Sequence, residues 1–539
     1  MRGLMMNHPL LLTHFLERAS MLYPKQEIVS RLPEGIHRTT YAEVFERVKR
    51  LARSLADLGV APGERVGTFA WNHFRHYELY FAVPSSQRVL HTLNVRLFPE
   101  QVIYIANHAQ DRVIFVDDVL VPALEKIAPS LHGVKAYVVM GGDPPKTTLK
   151  PLVRYEELVE KPASDYQFPS FDENEAAAMC YTSGTTGNPK GVVYSHRALF
   201  LQSMSHAMAD TMALSDQDSI LAIVPMFHAN CWCLPFAATM VGAKQIYPHQ
   251  YLQPEHIVSL LEEEKVTFSG GVPTIWTGVL DHLDKEKKDL PHLKRAICGG
   301  SAVPVALIDR MDRRGIRLMQ GWGMTETSPL ASLARVKAGL GDMGRDERLR
   351  LLAKQGLTIP CVEVRIADEK GDIAPRDGKT MGELEIRGPW VVSDYYNDPR
   401  SQQSFHDGWF RTGDVATLDG EGYIHIQDRA KDVIKSGGEW VSSVELENAI
   451  MGHPKVLEAA VIGVHHPKWE ERPLACVVAR AEHKGKITKD EILEHLRPHF
   501  AKWWLPEDVV FVESIPKTSV GKFSKRELRE QLKDYKLPG

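Results

Sequence analysis

Residues 181–191 read YTSGTTGNPKG: three glycines, three threonines, a serine and a lysine, with almost nothing apolar. A stretch that cannot pack a core is either a loose linker or a shaped holder. Glycines let the backbone turn sharply and present N–H groups to an anion. The hydroxyls of Thr182, Ser183, Thr185 and Thr186 add donors, and Lys190 adds charge; together these suit a polyphosphate. The spacing is not that of the GxxxxGK[ST] phosphate loop, which disfavours a P-loop NTPase. Taken alone, the stretch reads equally as a flexible loop without a ligand.

The loop directly follows the strand-like EAAAMC. Further strand-length runs, SILAIVPM, AKQIYP, VTFSGGVP, LKRAICGG and IRLMQGWG, are mostly separated by helical patterns. That alternation predicts an α/β architecture with a largely parallel sheet, and open α/β sheets place ligands at the carboxyl ends of strands. Upstream, TTYAEVFERVKRLARSLADLGV has the 3.6-residue apolar stripe of a surface helix. After about residue 380 the pattern changes to strands and a hairpin turning at Asp419–Gly420, then to a compact α+β portion with capping boxes at Ser442–Glu445, Thr488–Glu491 and Ser524–Glu527. The expected organisation is a large N-terminal domain (1–427), a hinge (428–432) and a smaller, mobile α+β C-terminal lid (433–539).

Bulk properties narrow the partners. At 539 residues the chain exceeds a single core. A net charge of −4 argues against nucleic acid as the main partner. The six cysteines form no CxxC pair, as in a reduced, cytoplasmic protein, and Cys231 with Cys233 lacks a second pair of ligands. No run approaches the roughly 18 apolar residues of a membrane span, and the N-terminus reads as an amphipathic helix.

Five more motifs follow in order: GWGMTETSP (321–329), GELEIRGP (381–388), GWFRTGD (408–414), DRAKDVIKSGGEWVSSVELE (428–447) and IPKTSVGKFSKRELR (515–529). With YTSGTTGNPKG, they make the chain resemble, over nearly its whole length, the adenylate-forming superfamily and within it the medium- and long-chain fatty acyl-CoA synthetases. The resemblance implies a ligase that uses Mg·ATP to convert an aliphatic acid to an acyl-adenylate and then transfers it to CoA.

The same resemblance assigns roles. Thr182, Ser183, Gly184, Thr185, Thr186 and Lys190 would handle the β/γ-phosphates, and Glu326 with Thr182 the magnesium ion. Asp414 would accept the ribose hydroxyls beside Arg429. Gly299, Gly300, Ser301 and Ala302, with Gln320, Gly321, Trp322 and Thr325, would surround the nucleotide; on spacing alone Trp322 reads also as a core indole. Lys522 would bridge the acyl carboxylate and the α-phosphate, although by spacing it is also a solvated lysine. Lys431 matches the hinge position. Lys435, Gly437, Gly438 and Trp440 would meet CoA after the lid rotates. His228 resembles the histidine beside the carboxylate, Trp232 a tryptophan gating the acyl tunnel, and Val272, Pro273 and Thr274 follow a strand at the pocket. The relatives imply a homodimer.

Two segments depart from the pattern. PSSQRVLHTLNVRLF (84–98) carries Ser86, Gln87 and Arg88 where small residues, often glycine, are usual, on what reads as a tightly packed helix. Glu470 stands where glycine is customary. The same framework serves a short or sulfur-containing acid such as 3-methylmercaptopropionate, the second reading; a carrier-protein-loading enzyme or a luciferase-type oxygenase comes third, and a non-catalytic sensor last, since Lys522, Glu326 and Asp414 are all present.

Overall fold

The computed structural model describes residues 1, 3–142, 145–163, 165–182, 188–368, 370–436, 439–517 and 523–538. Among these, the strands form four sheets. In the largest, Ser219–Ala222, Lys244–Tyr247, Phe268–Gly271, Arg295–Gly299 and Arg317–Gly323 run parallel, with antiparallel strands added at both edges. A second sheet runs parallel from Leu152–Arg154 through Ala176–Tyr181 and ends on the antiparallel Gly191–Ser195. Buried helices fill the space between them: Phe74–Ser85 has every residue but Arg75 buried. The α/β expectation therefore describes the large part of the chain.

The third sheet is antiparallel and brings Trp409–Leu418 against Gly382–Arg387 and Ile424–Arg429. The fourth belongs to the smaller C-terminal part, where Val456–His466 pairs with Glu470–Ala479, and Asp508–Phe511 joins the latter in parallel. Helices Ser443–Met451, Lys489–Leu496 and Lys525–Gln531 cover it, burying Leu446, Ile450, Ile492, Leu496 and Leu528. Burial on one helix face explains why these short segments are helical at all, since seven to nine residues are too few in isolation.

Two local expectations are corrected. Only Thr488–Glu491 is a reciprocal capping box. Ser442 and Ser524 each cap the N–H three residues on, but Ser442 gives its own hydroxyl proton to the Gln427 carbonyl. Ser86, Gln87 and Arg88 are not on a helix: the helix stops at Ser85, and Gln87 takes φ +61°, a conformation for which glycine is the low-cost residue. Gln87 is held there by its amide on the Glu175 carboxylate (2.9 Å), and Arg88 by bonds to the Val60 and Ser86 carbonyls (2.8 and 2.7 Å). Glu470 likewise sits at φ +69° in the turn between the two long strands of the lid. At both positions the backbone conformation is one that glycine adopts at low cost.

Thr488→Ala removes the hydroxyl half of this box, leaving the backbone N–H of residue 488 on Glu491, and should destabilise the protein by about 1 kcal/mol. Thermal unfolding of the full chain measures it, and an unchanged midpoint would show that the hydroxyl contributes nothing.

Candidate functional site

Three residues separated by 92 and 15 positions meet at one buried carboxylate. Asp414, on Trp409–Leu418, is 2% exposed. Its Oδ2 accepts the indole N–H of Trp322 at 3.0 Å, and its Oδ1 faces the Arg429 Nε at 2.8 Å. Arg429 lies directly across the antiparallel pair from Asp414 and also donates to the Thr412 carbonyl (3.3 Å). Trp322 comes from the far end of the parallel sheet. A carboxylate taken out of water requires such donors, and here they arrive from two different sheets.

Next to Trp322 the strand ends are built of glycine for steric reasons. A Cβ on Gly299 would lie 2.6 Å from the Gly321 carbonyl oxygen, its partner across the pair. Gly300 takes φ +85°, a left-handed turn suited to glycine. Ser301, exposed, and Ala302 follow at the strand's carboxyl end. Gln320 is buried, with no hydrogen-bond partner at Oε1 among the described residues, so an acceptor is available where the two strands end.

The glycine-rich loop is described at its two ends. Thr182 donates its N–H to the Lys190 carbonyl (2.9 Å) and its hydroxyl oxygen accepts the Lys190 N–H (3.1 Å), closing the loop's base. Ser183, Gly184, Thr185 and Thr186 lie outside the described residues, as do Gly437, Gly438, Lys522 and the Trp440 side chain. The Lys190 ammonium sits 4.3 Å above the Tyr395 ring and 3.3 Å from the Ser404 hydroxyl. Tyr395 in turn donates to Glu326 Oε1 at 2.7 Å. Burial, then the nearby Glu326 charge, raises the Tyr395 pKa, so it stays a donor. Tyr395 thus links Lys190 to Glu326, a role no motif signalled; the aromatic pair in SDYYND was the available sign. Thr325 offers its carbonyl to the Tyr194 hydroxyl (2.8 Å).

The acyl-side residues bring a conformational surprise. Ala229, Asn230, Cys231, Trp232 and Cys233 all have positive φ, between 41° and 62°. Five successive left-handed residues without glycine cost roughly 1–2 kcal/mol each, so surrounding bonds must impose the turn. The Cys231 thiol donates to the Val224 carbonyl (2.9 Å), and His206 Nε2 donates to the Trp232 carbonyl (3.0 Å). Burial keeps His206 neutral, its pKa pushed down to about 4. His228 begins the turn, and the turn swings Trp232 across the sheet. Its ring lies 3.5 Å from where a Cβ on Gly270 would stand and 3.6 Å from one on Gly299. Val272 follows at the end of the same strand and opens the helix Pro273–Glu286. The CxC thiols are buried and bonded to different partners.

Lys431 sits just after the strand Ile424–Arg429, and Lys435 on the short strand Ile434–Ser436, its N–H on the Glu471 carboxylate (3.0 Å). A buried His73–Asp117–His249 group also brings three potential metal ligands together. His73 Nδ1 caps the His76 N–H, however, so Nε2 carries the proton that Asp117 accepts at 2.7 Å. Asp117 further accepts the Trp71 N–H, so His73 and Asp117 are engaged in hydrogen bonds, while His249 Nε2 stands 3.7 Å from Asp117.

Comparison with known proteins places this geometry. The AMP-binding enzyme family matches residues 16–396, and the AMP-binding enzyme C-terminal domain matches 445–522. The chain is 51% identical to a long-chain-fatty-acid–CoA ligase of Thermus thermophilus, over 98% of this chain and 97% of that one. It is 43% identical to a 3-methylmercaptopropionyl-CoA ligase of Ruegeria lacuscaerulensis, over 99% of both. Among solved structures, ATP-bound MatB of Rhodopseudomonas palustris superposes with a TM-score of 0.82 at 26% identity, covering 97% of this chain and all of that one.

Removing an N–H donor from a charged buried acceptor costs about 1.5–3 kcal/mol. Trp322→Phe keeps the ring and deletes the donor to Asp414. Its KM for ATP should rise roughly tenfold with the KM for the acid unchanged; an unchanged KM for ATP would separate Trp322 from nucleotide binding.

Proposed function

The chain belongs to the AMP-binding enzyme family and is an AMP-forming acyl-CoA ligase, and on that premise we propose that its acid is a medium- or long-chain fatty acid. The observation that carries this reading is the placement of Trp232 against the glycines at two strand ends. On this reading the indole, laid over strand ends without side chains, moves aside when an alkyl chain enters. A 51% match to a long-chain ligase across nearly the whole chain supports it. The 3-methylmercaptopropionyl-CoA ligase relatives, at 43%, make a short sulfur-containing acid the second reading.

In the first half-reaction, the acid's carboxylate attacks the α-phosphorus of ATP, the bond to the bridging oxygen breaks, and pyrophosphate leaves. Two anions must approach, so positive charge and alignment dominate the barrier. Lys190 and the glycine-rich loop hold the leaving phosphates, Asp414 and Arg429 fix the ribose, and Trp322 with Gly300, Ser301, Ala302, Gln320 and Gly321 bounds the base. Lys522 supplies a point charge between the carboxylate and the α-phosphate. His228 orients the acyl carboxylate. In the second half-reaction the CoA thiol attacks the acyl carbon and AMP leaves. The boundary at 428–432, with Lys431, then acts as a hinge: rotation of the lid withdraws Lys522 and brings Lys435, Gly437, Gly438 and Trp440 to the thiol's path.

Thr182 and Glu326 would hold the magnesium ion. A hydroxyl and a carboxylate are hard oxygen donors of the kind Mg²⁺ takes from proteins when phosphates complete its shell. When bound, the ion neutralises phosphate charge. The free state of all six cysteines supports a cytoplasmic setting, and no helix among the described residues is long and apolar enough to cross a membrane. A homodimer is supported by Met1, Leu4, Met5 and Met6, apolar side chains wholly exposed at the N-terminus beside exposed Met21 and Leu22.

A panel of acids from two to eighteen carbons plus 3-methylmercaptopropionate, assayed for AMP release with and without CoA, tests the assignment. Maximal kcat/KM above six carbons is expected; a maximum on the thioether acid would replace the leading reading. For Trp232→Ala the preferred chain length should shift while the KM for ATP stays within about twofold. Lys522→Ala should lose about a hundredfold or more in acyl-adenylate formation and keep thioester formation from supplied acyl-adenylate. Equal losses in both halves would contradict a two-conformation cycle.

A further inference from the structure

Adjacent residues at the start of the hinge are tied in opposite directions. Arg429 is bound to Asp414 and Thr412 on the large part's antiparallel sheet. Asp428, one residue earlier and 1% exposed, turns the other way. Its Oδ2 accepts the Ser443 N–H at 2.8 Å and the Ser443 hydroxyl as well, both on the first turn of the lid helix Ser443–Met451.

Behind that contact lies a buried cation. Lys525 Nζ donates to the same Ser443 hydroxyl (2.5 Å) and pairs with the Glu447 carboxylate (2.8 Å). Glu447 also accepts the Val461 N–H (2.7 Å), which fixes it to the lid sheet. One helical turn on, Arg529 reaches Asp432 at 2.8 Å. Residues four apart share a helix face, so Lys525–Gln531 presents two cations to the two acidic members of 428–432. The base of the preceding segment is pinned too. Lys517 and Phe523 pair as an isolated bridge, and the Ser524 N–H reaches the Pro516 carbonyl (2.8 Å).

Burying an ion pair costs desolvation that a methionine or leucine would avoid, and the best-attested use of such a pair is to fix register. Leu528 already supplies the apolar anchor of this helix. The charged contacts therefore set where the helix lies along the hinge.

We propose that Lys525, seconded by Arg529, is a positioning residue for adenylation. It holds the start of the C-terminal helix, three residues past Lys522, in fixed register with Asp428 and Asp432. The helix that begins three residues past Lys522 in sequence then turns with the hinge. This rests on the reading of Lys522 as the adenylation lysine.

Lys525→Met and Lys525→Arg in the full chain, with Lys522→Ala beside them, test the idea through the separate half-reactions. Misplacing a charge by about 1 Å costs on the order of a hundredfold. For Lys525→Met we expect a loss of that order in kcat of acyl-adenylate formation, with the KM for ATP and the rate of thioester formation from supplied acyl-adenylate nearly unchanged. Lys525→Arg should restore most of it. If Lys522→Ala loses adenylation while Lys525→Met keeps it, the positioning role is overturned and the Lys522 reading stands. Adenylation surviving in Lys522→Ala overturns the reading underneath. An equal fall of both half-reactions in Lys525→Met, unrescued by arginine, reduces Lys525 to a stability residue. Should Lys525→Met not fold, Arg529→Gln at the more exposed strut replaces it: a several-fold loss confined to adenylation supports the proposal, and no loss counts against it.

Discussion

A carboxylate removed from water has to be paired, and the arrangement of this molecule follows from how Asp414 meets that demand. One oxygen takes the Trp322 indole N–H from the end of the nine-stranded sheet; the other takes Arg429, which closes the antiparallel sheet and leads into the lid. A single buried charge thus joins the sheet whose strands carry Gly299 and Gly321 to the strand that leads into the C-terminal part. The C-terminal part is attached on the opposite side of the same strand, through Asp428 and Ser443, with the Lys525–Glu447 pair behind that contact. The chain passes from the large part to the smaller C-terminal part through a pair of neighbouring residues with oppositely directed side chains. Hinges of this type absorb rotation in a few backbone torsions because everything on either side is bonded.

The acyl side is organised by conformational strain. Five left-handed residues in a row are unfavourable for L-amino acids and persist only where neighbours over-determine them. The thiol of Cys231, the imidazole of His206 and the chain's return at Val224 do so, and the outcome is an indole laid over strand ends that have no side chains of their own. The glycines at 270 and 299 and the tryptophan at 232 are one structural decision. A larger residue at either glycine would collide with the ring or the neighbouring strand.

Much of this was legible in the residue order. The strand runs, the hairpin at Asp419–Gly420, the change to α+β after 430 and the helix caps follow from period, turn chemistry and capping, which are local. The six motifs identified the family and named residues that the fold does bring together, as with Trp322, Asp414 and Arg429. What escaped was non-local or conformational. Tyr395 joins Lys190 to Glu326 across more than 200 positions of sequence, and only the aromatic pair in SDYYND marks its neighbourhood. Gln87 read as a bulky intrusion and Glu470 as a replacement of glycine, yet each occupies a positive-φ site, Gln87 with a compensating bond to Glu175.

By itself the sequence determined the architecture class, the reaction and the list of groups able to carry charge, because these depend on residue type and on spacing within a few positions. Only the tertiary structure decided which of those groups are buried, which partner each buried charge finds, and which way each side chain of the hinge faces. Desolvation makes such pairings obligatory, but it acts on atoms that the chain brings together only after folding. That is why Lys525, one of several lysines and arginines in a basic stretch of sequence, is in the folded protein a largely buried cation that reaches Asp428 through the Ser443 hydroxyl.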